Sequence, residues 1–224
     1  MIGLRILERT RAVSPASARR FLDIPVANVS DCMARMFAGG AALRPMHGGG
    51  AMAGAAFTVR TRPGDNLMVH KALALASPGD VIVVDAGGDL SNAIIGEIMA
   101  GQAMQRGLAG LVIHGAVRDA RALREGALPV YAAGVTHRGP YKDGPGEINV
   151  PVAFGGMVVH PGDLVIGDED GLLCIPCDAV EAMHAAALEK VAYEKKMVAD
   201  IRAGTHDTAW VDAQLRRLGC ALPG

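Results

Sequence analysis

One stretch of twenty-four residues, GEIMAGQAMQRGLAGLVIHGAVRD at 96–119, constrains the fold more than any other part of the chain. Ile98, Ala100, Ala103, Met104 and Leu108 recur at roughly helical spacing. Gly107 and Gly110 end that run, and LVIH at 111–114 is a short strand. In a strand–helix–strand unit the start of the helix and the end of the second strand meet at one edge of the sheet. Glu97, Arg118 and Asp119 can therefore converge, although twenty residues separate the first from the second.

Such a convergence has a definite chemistry. Two neighbouring carboxylates repel, and a divalent cation relieves the repulsion. An oxygen-only site suits Mg2+ or Mn2+, which keep several waters. Arg118 offers a planar fork to a carboxylate or an enolate oxygen. Backbone N–H groups from Gly96 through Glu97 and Ile98 to Met99, at a helix start, suit a bound carboxylate. These ingredients describe a site for a small 2-oxo acid whose enolate needs stabilising. The same residues also read as a surface Arg-Asp pair and a first-turn carboxylate favoured by the helix dipole.

The remaining pattern is that of a mixed α/β chain. AAFTVRTR at 55–62 alternates as a strand, PGDN at 63–66 turns into a helix over 67–76, and PGD at 78–80 leads into the apolar strand VIVVDA. LPVYAAG reads as a strand, 136–149 as a polar loop, 150–154 and 157–160 as short strands, and LVIGDEDG with LLCIP as a hairpin. Residues 1–45 read as helical, and 178–203 as a long helix ended by Gly204. PGDVIVVD and PGDLVIGD echo one another through their turn chemistry, without duplication. No linker divides the chain, so one domain over 1–224 is expected.

Aromatics are only 4% of a chain that is 50% hydrophobic, so the core must be built from Ala, Val, Leu, Ile and Met. A net charge of −1 with no basic run argues against a nucleic-acid binder. No apolar stretch reaches the length of a membrane span. The early charges of MIGLRILERTR argue against a signal peptide, so the expected location is cytoplasmic. Cys32, Cys174, Cys177 and Cys220 suit a reducing compartment; the CIPC pair lacks a second ligand pair for zinc and reads as structural.

The segment at 96–119 resembles the acidic residue, twenty residues, arginine-aspartate signature of the RraA-like family. PGDNLMVHKAL at 63–73, PGDVIVVDAGG at 78–88, THRGPYKDGPGEINVPV at 136–152 and GGMVVHPGDLVIGDEDGLLCIP at 155–176 agree with it. The resemblance runs from about Val26 to Gly204. It implies an α/β/β/α swivelling-domain sandwich with N- and C-terminal helices, assembled as trimers or hexamers. It also implies the class II pyruvate aldolases, which act on 4-hydroxy-4-methyl-2-oxoglutarate and 4-carboxy-4-hydroxy-2-oxoadipate in aromatic degradation. Asp119 then holds the divalent cation, Arg118 and Glu97 act on the substrate, and Glu194, from the C-terminal helix, reaches the site of a neighbouring subunit. Oxaloacetate decarboxylase activity is compatible with the same enolate chemistry. Many of these aldolases carry aspartate where this chain has Glu97.

The rival expectation is a non-catalytic regulator that binds a ribonuclease or another protein. Regulatory members of the family lack the metal-binding aspartate, and Asp119 is present here. A quinone methyltransferase label has little support, because no G-x-G-x-x-G opens a helix after VIVVDA. His70 reads as a packed or surface histidine and His114 as a supporting residue on the strand before Arg118. Asp89 and Asn92 are candidates for the substrate entrance. Arg138 and Lys142, in the polar loop with Glu147, are candidates for a distal carboxylate.

Overall fold

Three Pro-Gly-Asp turns organise the sheet, and the computed structural model, which describes residues 1–222, shows them built alike. Gly64, Gly79 and Gly162 have φ of 74°, 87° and 90°, the left-handed conformation that follows proline in a tight turn. Each Asp N–H closes the turn onto the carbonyl three residues back: Arg62, Ser77 and His160.

In chain order the first elements are β1 (Leu4–Ile6), α1 (Pro15–Arg19), α2 (Val26–Cys32), β2 (Arg44–Pro45), β3 (Met52–Thr61) and α3 (Leu67–Leu75). Then follow β4 (Asp80–Asp85), β5 (Ala93–Ile95), α4 (Glu97–Gln105), β6 (Gly110–Val117), α5 (Ala120–Glu125) and β7 (Val130–Val135). The last are β8 (Gly146–Ile148), β9 (Val152–Phe154), β10 (Met157–Val159), β11 (Leu164–Asp168), β12 (Gly171–Ile175), α6 (Val180–Ala203) and α7 (Ala209–Arg217).

The large sheet runs β1-β8-β3-β4-β6-β7-β2, with β3, β4, β6 and β7 parallel in their shared register. β3 is long enough to serve several partners. One edge holds β4; on the other, Met52–Ala55 pairs with β11 and Val59–Thr61 with β8. β11 and β12 form the expected hairpin, and β9 with β10 another.

The continuous apolar strands are buried on both faces, as a covered parallel sheet requires. Ile82 and Val84 of β4 and Leu111 and Ile113 of β6 face α3 and α4, packing with Val69, Leu73, Met99 and Ala103. Val81, Val83 and Val112 face the hairpins, packing with Phe154, Met157, Val165 and Leu172. α2 packs in turn against β11 and β12. The layers are helix, sheet, hairpins and helix, the α/β/β/α arrangement that the family resemblance implies.

Three differences from the sequence reading stand out. Residues 1–45, read as helical, contain the strands β1 and β2 as well as two short helices. β8 lies inside the stretch 136–149 that reads as a loop. A single buried group explains both β1 and β8: Glu147, 3% exposed, accepts the Gly3 N–H at 3.1 Å and Arg5 Nε at 2.6 Å, which pins β1 parallel to β8. α7 lies beyond the segments that carried the reading.

By its contacts the chain falls into two compact units, Met1–Ala187 and Leu188–Gly224. The first contains the whole sheet. The second contains the C-terminal part of α6, followed by Gly204 at φ 69° and α7. No helix among the described residues is long and apolar enough to cross a membrane.

Candidate functional site

The short strand β5 positions the site. β4 pairs with β6 up to His114; beyond that β5 takes over the same strand, pairing Ala93 with Ala116 and Ile95 with Val117. The Arg118 N–H then donates to the Ile95 carbonyl at 3.0 Å. Because α4 starts directly after β5, its first turn is held against the end of β6.

Gly96 makes the close approach possible. Its backbone is extended, with φ −150°, which any residue adopts, so the requirement is for space rather than conformation. A Cβ there would collide with Asp119 Oδ2 and lie 2.9 Å from Arg118 Cγ. In that space Asp119 Oδ2 accepts the Glu97 N–H at 3.0 Å, and Arg118 Nε lies 3.7 Å from the same oxygen. A carboxylate delivered by β6 thus meets the positive end of α4. Asp119 itself has φ 56° and ψ 40°, a left-handed residue at the start of α5.

Arg118 opens onto a cavity of about 260 Å3. Gly96, Ile98 and Met99 line it together with Arg118, so four of the residues expected to bind substrate share one wall. Asn66 and His70, on successive turns of the α3 region, and Gly139, Pro140 and Lys142 line the cavity as well. Burial, and then the charge of Lys142, hold the His70 imidazole below its usual pKa. Asn66 is 2% exposed; its Nδ2 donates to the Ile94 carbonyl at 2.9 Å, while its Oδ1 is buried without a hydrogen-bond partner among the described residues.

Other expected residues lie elsewhere. The Glu97 side chain lines a second cavity, of about 220 Å3, with Ala100, Met104, Leu123 and Leu128 between α4 and α5. Its backbone N–H, rather than its carboxylate, makes the recorded contact with Asp119. Glu194 belongs to the second unit, where Lys190 pairs with it at 3.2 Å one turn back. Asp89, Asn92 and Arg138 are not on the cavity wall: Asp89 caps Ser91, and Asn92 Nδ2 donates to the Gly139 carbonyl at 2.6 Å.

His114 is held by Asp85, with Nδ1 2.9 Å from Oδ1, and stacks on Phe154. Cys174 is buried, and burial together with Asp163 pushes its thiol well above the usual range, which suits a structural thiol.

Asn66 is the cavity residue that sequence reasoning passed over, whereas His70, read as a packed or surface histidine, is exposed and lines the cavity. The signal for Asn66 was present: Asn66 and His70 are four apart, so they share a helix face.

The donor set fits a hard cation. Asp119 offers Oδ1, which takes part in neither of the contacts made by Oδ2, and its side chain is 40% exposed. Among the described residues no group of three or more His, Cys, Asp or Glu side chains gathers to form a closed cage. An ion that binds through one carboxylate and keeps its waters, as Mg2+ does, is matched to what Asp119 presents.

Known proteins resemble this chain in sequence and in fold. Residues 26–174 match the family described as RraA-like (Aldolase/RraA). A Halalkalibacterium halodurans protein named "Putative 4-hydroxy-4-methyl-2-oxoglutarate aldolase" is 40% identical over 173 residues, covering 77% of this chain and 82% of its own. A Thermus thermophilus protein named 4-hydroxy-4-methyl-2-oxoglutarate aldolase is 43% identical over 112 residues, covering 50% of this chain and 68% of its own.

Among solved structures, the RNA-processing inhibitor RraA from Thermus superimposes with a TM-score of 0.64 at 36% identity. That match covers 69% of this chain and 93% of that one. An uncharacterised Pseudomonas syringae protein, 23% identical, superimposes with a TM-score of 0.79 over 88% of this chain and 93% of its own, and shows the fold alone. With the family match running from α2 through β11 and including β5 and the Arg118–Asp119 corner, the chain belongs to the RraA-like family.

Proposed function

We propose that this chain is a divalent-metal-dependent carbon–carbon lyase. It cleaves 4-hydroxy-2-oxo diacids, of the 4-hydroxy-4-methyl-2-oxoglutarate or 4-carboxy-4-hydroxy-2-oxoadipate type, to pyruvate and a second oxo acid. The observation that carries the reading is the cavity that Arg118 and the first turn of α4 line together with Lys142, with Asp119 against that turn.

The N–H groups of Ile98 and Met99 start a nine-residue helix and bind the C1 carboxylate. Arg118 donates to the C2 oxygen and stabilises the charge that develops there. Lys142 binds the distal carboxylate, and Asn66 Oδ1 offers an acceptor to the substrate hydroxyl. As the C3–C4 bond breaks, its electron pair passes into the enolate of pyruvate, the C4 hydroxyl proton passes to a water, and C4 becomes a carbonyl. The enolate then takes a proton at C3. Glu97 holds a water at the rim of the site. Mg2+ or Mn2+, bound by Asp119, supplies the positive charge that polarises the C2 carbonyl. Oxaloacetate decarboxylation ends in the same enolate and uses the same groups. The shared site is completed in a homotrimer or hexamer by Glu194 of an adjacent copy.

The similarity to an RNA-processing inhibitor supports a second reading, a regulator that binds a ribonuclease. Asp119 and its uncommitted oxygen favour chemistry. The test is pyruvate release from several 4-hydroxy-2-oxo diacids and from oxaloacetate, with Mg2+ and with chelator. Metal-dependent release is expected. No release from any of them, with the protein binding a ribonuclease in its place, overturns the proposal.

A further inference from the structure

We propose that Asp65 is a positioning residue for the cavity, fastening the loop that carries Lys142 to the first turn of α3. This rests on the reading of Lys142 given above.

The three Pro-Gly-Asp turns supply the observation. In two of them the aspartate completes its own turn: Asp80 Oδ2 accepts the Ser77 N–H at 2.8 Å, and Asp163 Oδ2 accepts the His160 N–H at 3.0 Å. The third turn has the same backbone bond, yet its aspartate reaches elsewhere. Asp65 Oδ1 accepts the Leu67 N–H at 2.9 Å. Its Oδ2 accepts the Asp143 N–H at 2.7 Å and the Gly144 N–H at 2.8 Å, across seventy-eight and seventy-nine residues of sequence. The corresponding Arg62 N–H is given to the Pro145 carbonyl. Asp80 and Asp163 also use Oδ1 on distant partners, Arg9 Nη1 and the Cys177 N–H, but both keep Oδ2 on their own turn, and Asp65 does not.

Lys142 is held from both sides, by the backbone of the turn on one and by the Asp65 carboxylate on the other. Before it, the Tyr141 N–H donates to the Gly64 carbonyl at 2.8 Å, and the Tyr141 carbonyl accepts the Asn66 N–H at 3.0 Å. After it, the Asp143 N–H is held by the Asp65 carboxylate. Gly64 to Asn66 and Tyr141 to Gly144 are thus tied together, and they bring Asn66 and Lys142 to the same cavity, with the His70 N–H bound to the Asn66 carbonyl. Asp65 is completely buried and also accepts Arg62 Nη2 at 3.2 Å. Its charge is thereby met by Arg62 and three N–H groups rather than by Lys142, which stays available to an anion.

The test is calorimetric binding in Mg2+ of two acids the proposed reaction does not cleave: 2-oxoglutarate, with two carboxylates, and pyruvate, with one. Asp65→Asn keeps the size but puts an amide N–H where an acceptor is needed. It is expected to weaken 2-oxoglutarate by on the order of tenfold and pyruvate by less than about twofold. In steady-state assays KM for the diacids rises while kcat stays within about threefold. Lys142→Met should weaken 2-oxoglutarate similarly, and the double variant should bind it no worse than Lys142→Met alone.

Additive losses in the double variant, or equal losses for both acids, overturn the proposal. If Asp65→Asn does not fold, Arg62→Ala carries the same comparison at smaller size. A selective, non-additive loss supports the proposal, and a uniform or absent one overturns it. Wild-type protein that binds 2-oxoglutarate no better than pyruvate overturns the reading of Lys142 itself, and Asp65 with it. A Lys142→Met loss without coupling to Asp65 or Arg62 overturns the Asp65 assignment alone.

Discussion

Asp65 and Asp119 are both aspartates at the start of a helix, and the protein uses them in opposite ways. Asp65 is wholly enclosed, with both oxygens committed to backbone N–H groups. Asp119 is half-exposed, and its recorded contacts go to one oxygen. A carboxylate whose bonds are all met has nothing left for a ligand, whereas one held from a single side by a helix N-terminus is oriented and still available. Burial alone therefore does not mark a reactive acid; the unequal use of its two oxygens does.

The largest effect expected from this contrast is a swap of phenotypes. Asp119→Ala should abolish Mg2+-dependent pyruvate release and move Tm by no more than about 4 °C. Asp65→Ala strands three N–H groups inside the protein, at a cost on the order of 3 kcal/mol. That lowers Tm by roughly 6–12 °C in a chain of this length. Thermal unfolding of the two variants side by side decides it, and similar melting points would break the comparison.

Arg118→Lys comes next. Lysine keeps the charge and loses the fork, so kcat should fall by at least ~10²-fold if Arg118 faces the developing charge as an oxyanion-hole donor does. A change confined to KM would place Arg118 with the ground state only.

The proposed role of Glu194 gives a third measurement. Inactive Asp119→Ala and Glu194→Ala subunits, mixed under exchange, should recover partial activity, because a mixed interface combines an intact residue from each. No recovery after verified exchange, or an active monomer by light scattering, would return the whole site to one chain.

The smallest effect concerns Glu147, which resembles Asp65 in being enclosed. The Gly3 N–H bond, opposed by burial and aided by Arg5 and Arg60, holds its carboxyl below the usual 4.5. A lowered native pKa contributes stability that is present above 4.5 and lost as pH falls through the native value. Urea stability followed downward from pH 5 should therefore drop less steeply in Glu147→Gln than in wild type.

The sequence carried the central strands and α4 in its own periodicity, because VIVVDA and LVIH are bounded by glycine and by turn residues that fix where strands begin. Arg118 and Asp119 were legible for the same reason: both follow directly from the end of β6. What was hidden depends on distant partners. β1 exists because Glu147 binds Gly3 and Arg5 more than a hundred and forty residues away, and nothing local in LRI announces it. The position of Glu97 at the first turn of α4 was legible in the sequence, whereas its contact with the hydrophobic groove of Ala100, Met104, Leu123 and Leu128 depends on how α4 packs near α5. Asp65 looked like the ordinary third residue of a turn, and only the loop it reaches distinguishes it from Asp80 and Asp163.

The left-handed backbone of Asp119 is a conformation that aspartate and asparagine tolerate better than most residues with a Cβ. Glycine at 119 would gain up to about 1 kcal/mol from the backbone. It would also leave the Glu97 N–H without the oxygen that it meets at 3.0 Å, a loss of similar size and opposite sign. The fold is therefore nearly indifferent to the exchange, and Asp119→Gly reads out the chemistry proposed for this corner with little interference from stability.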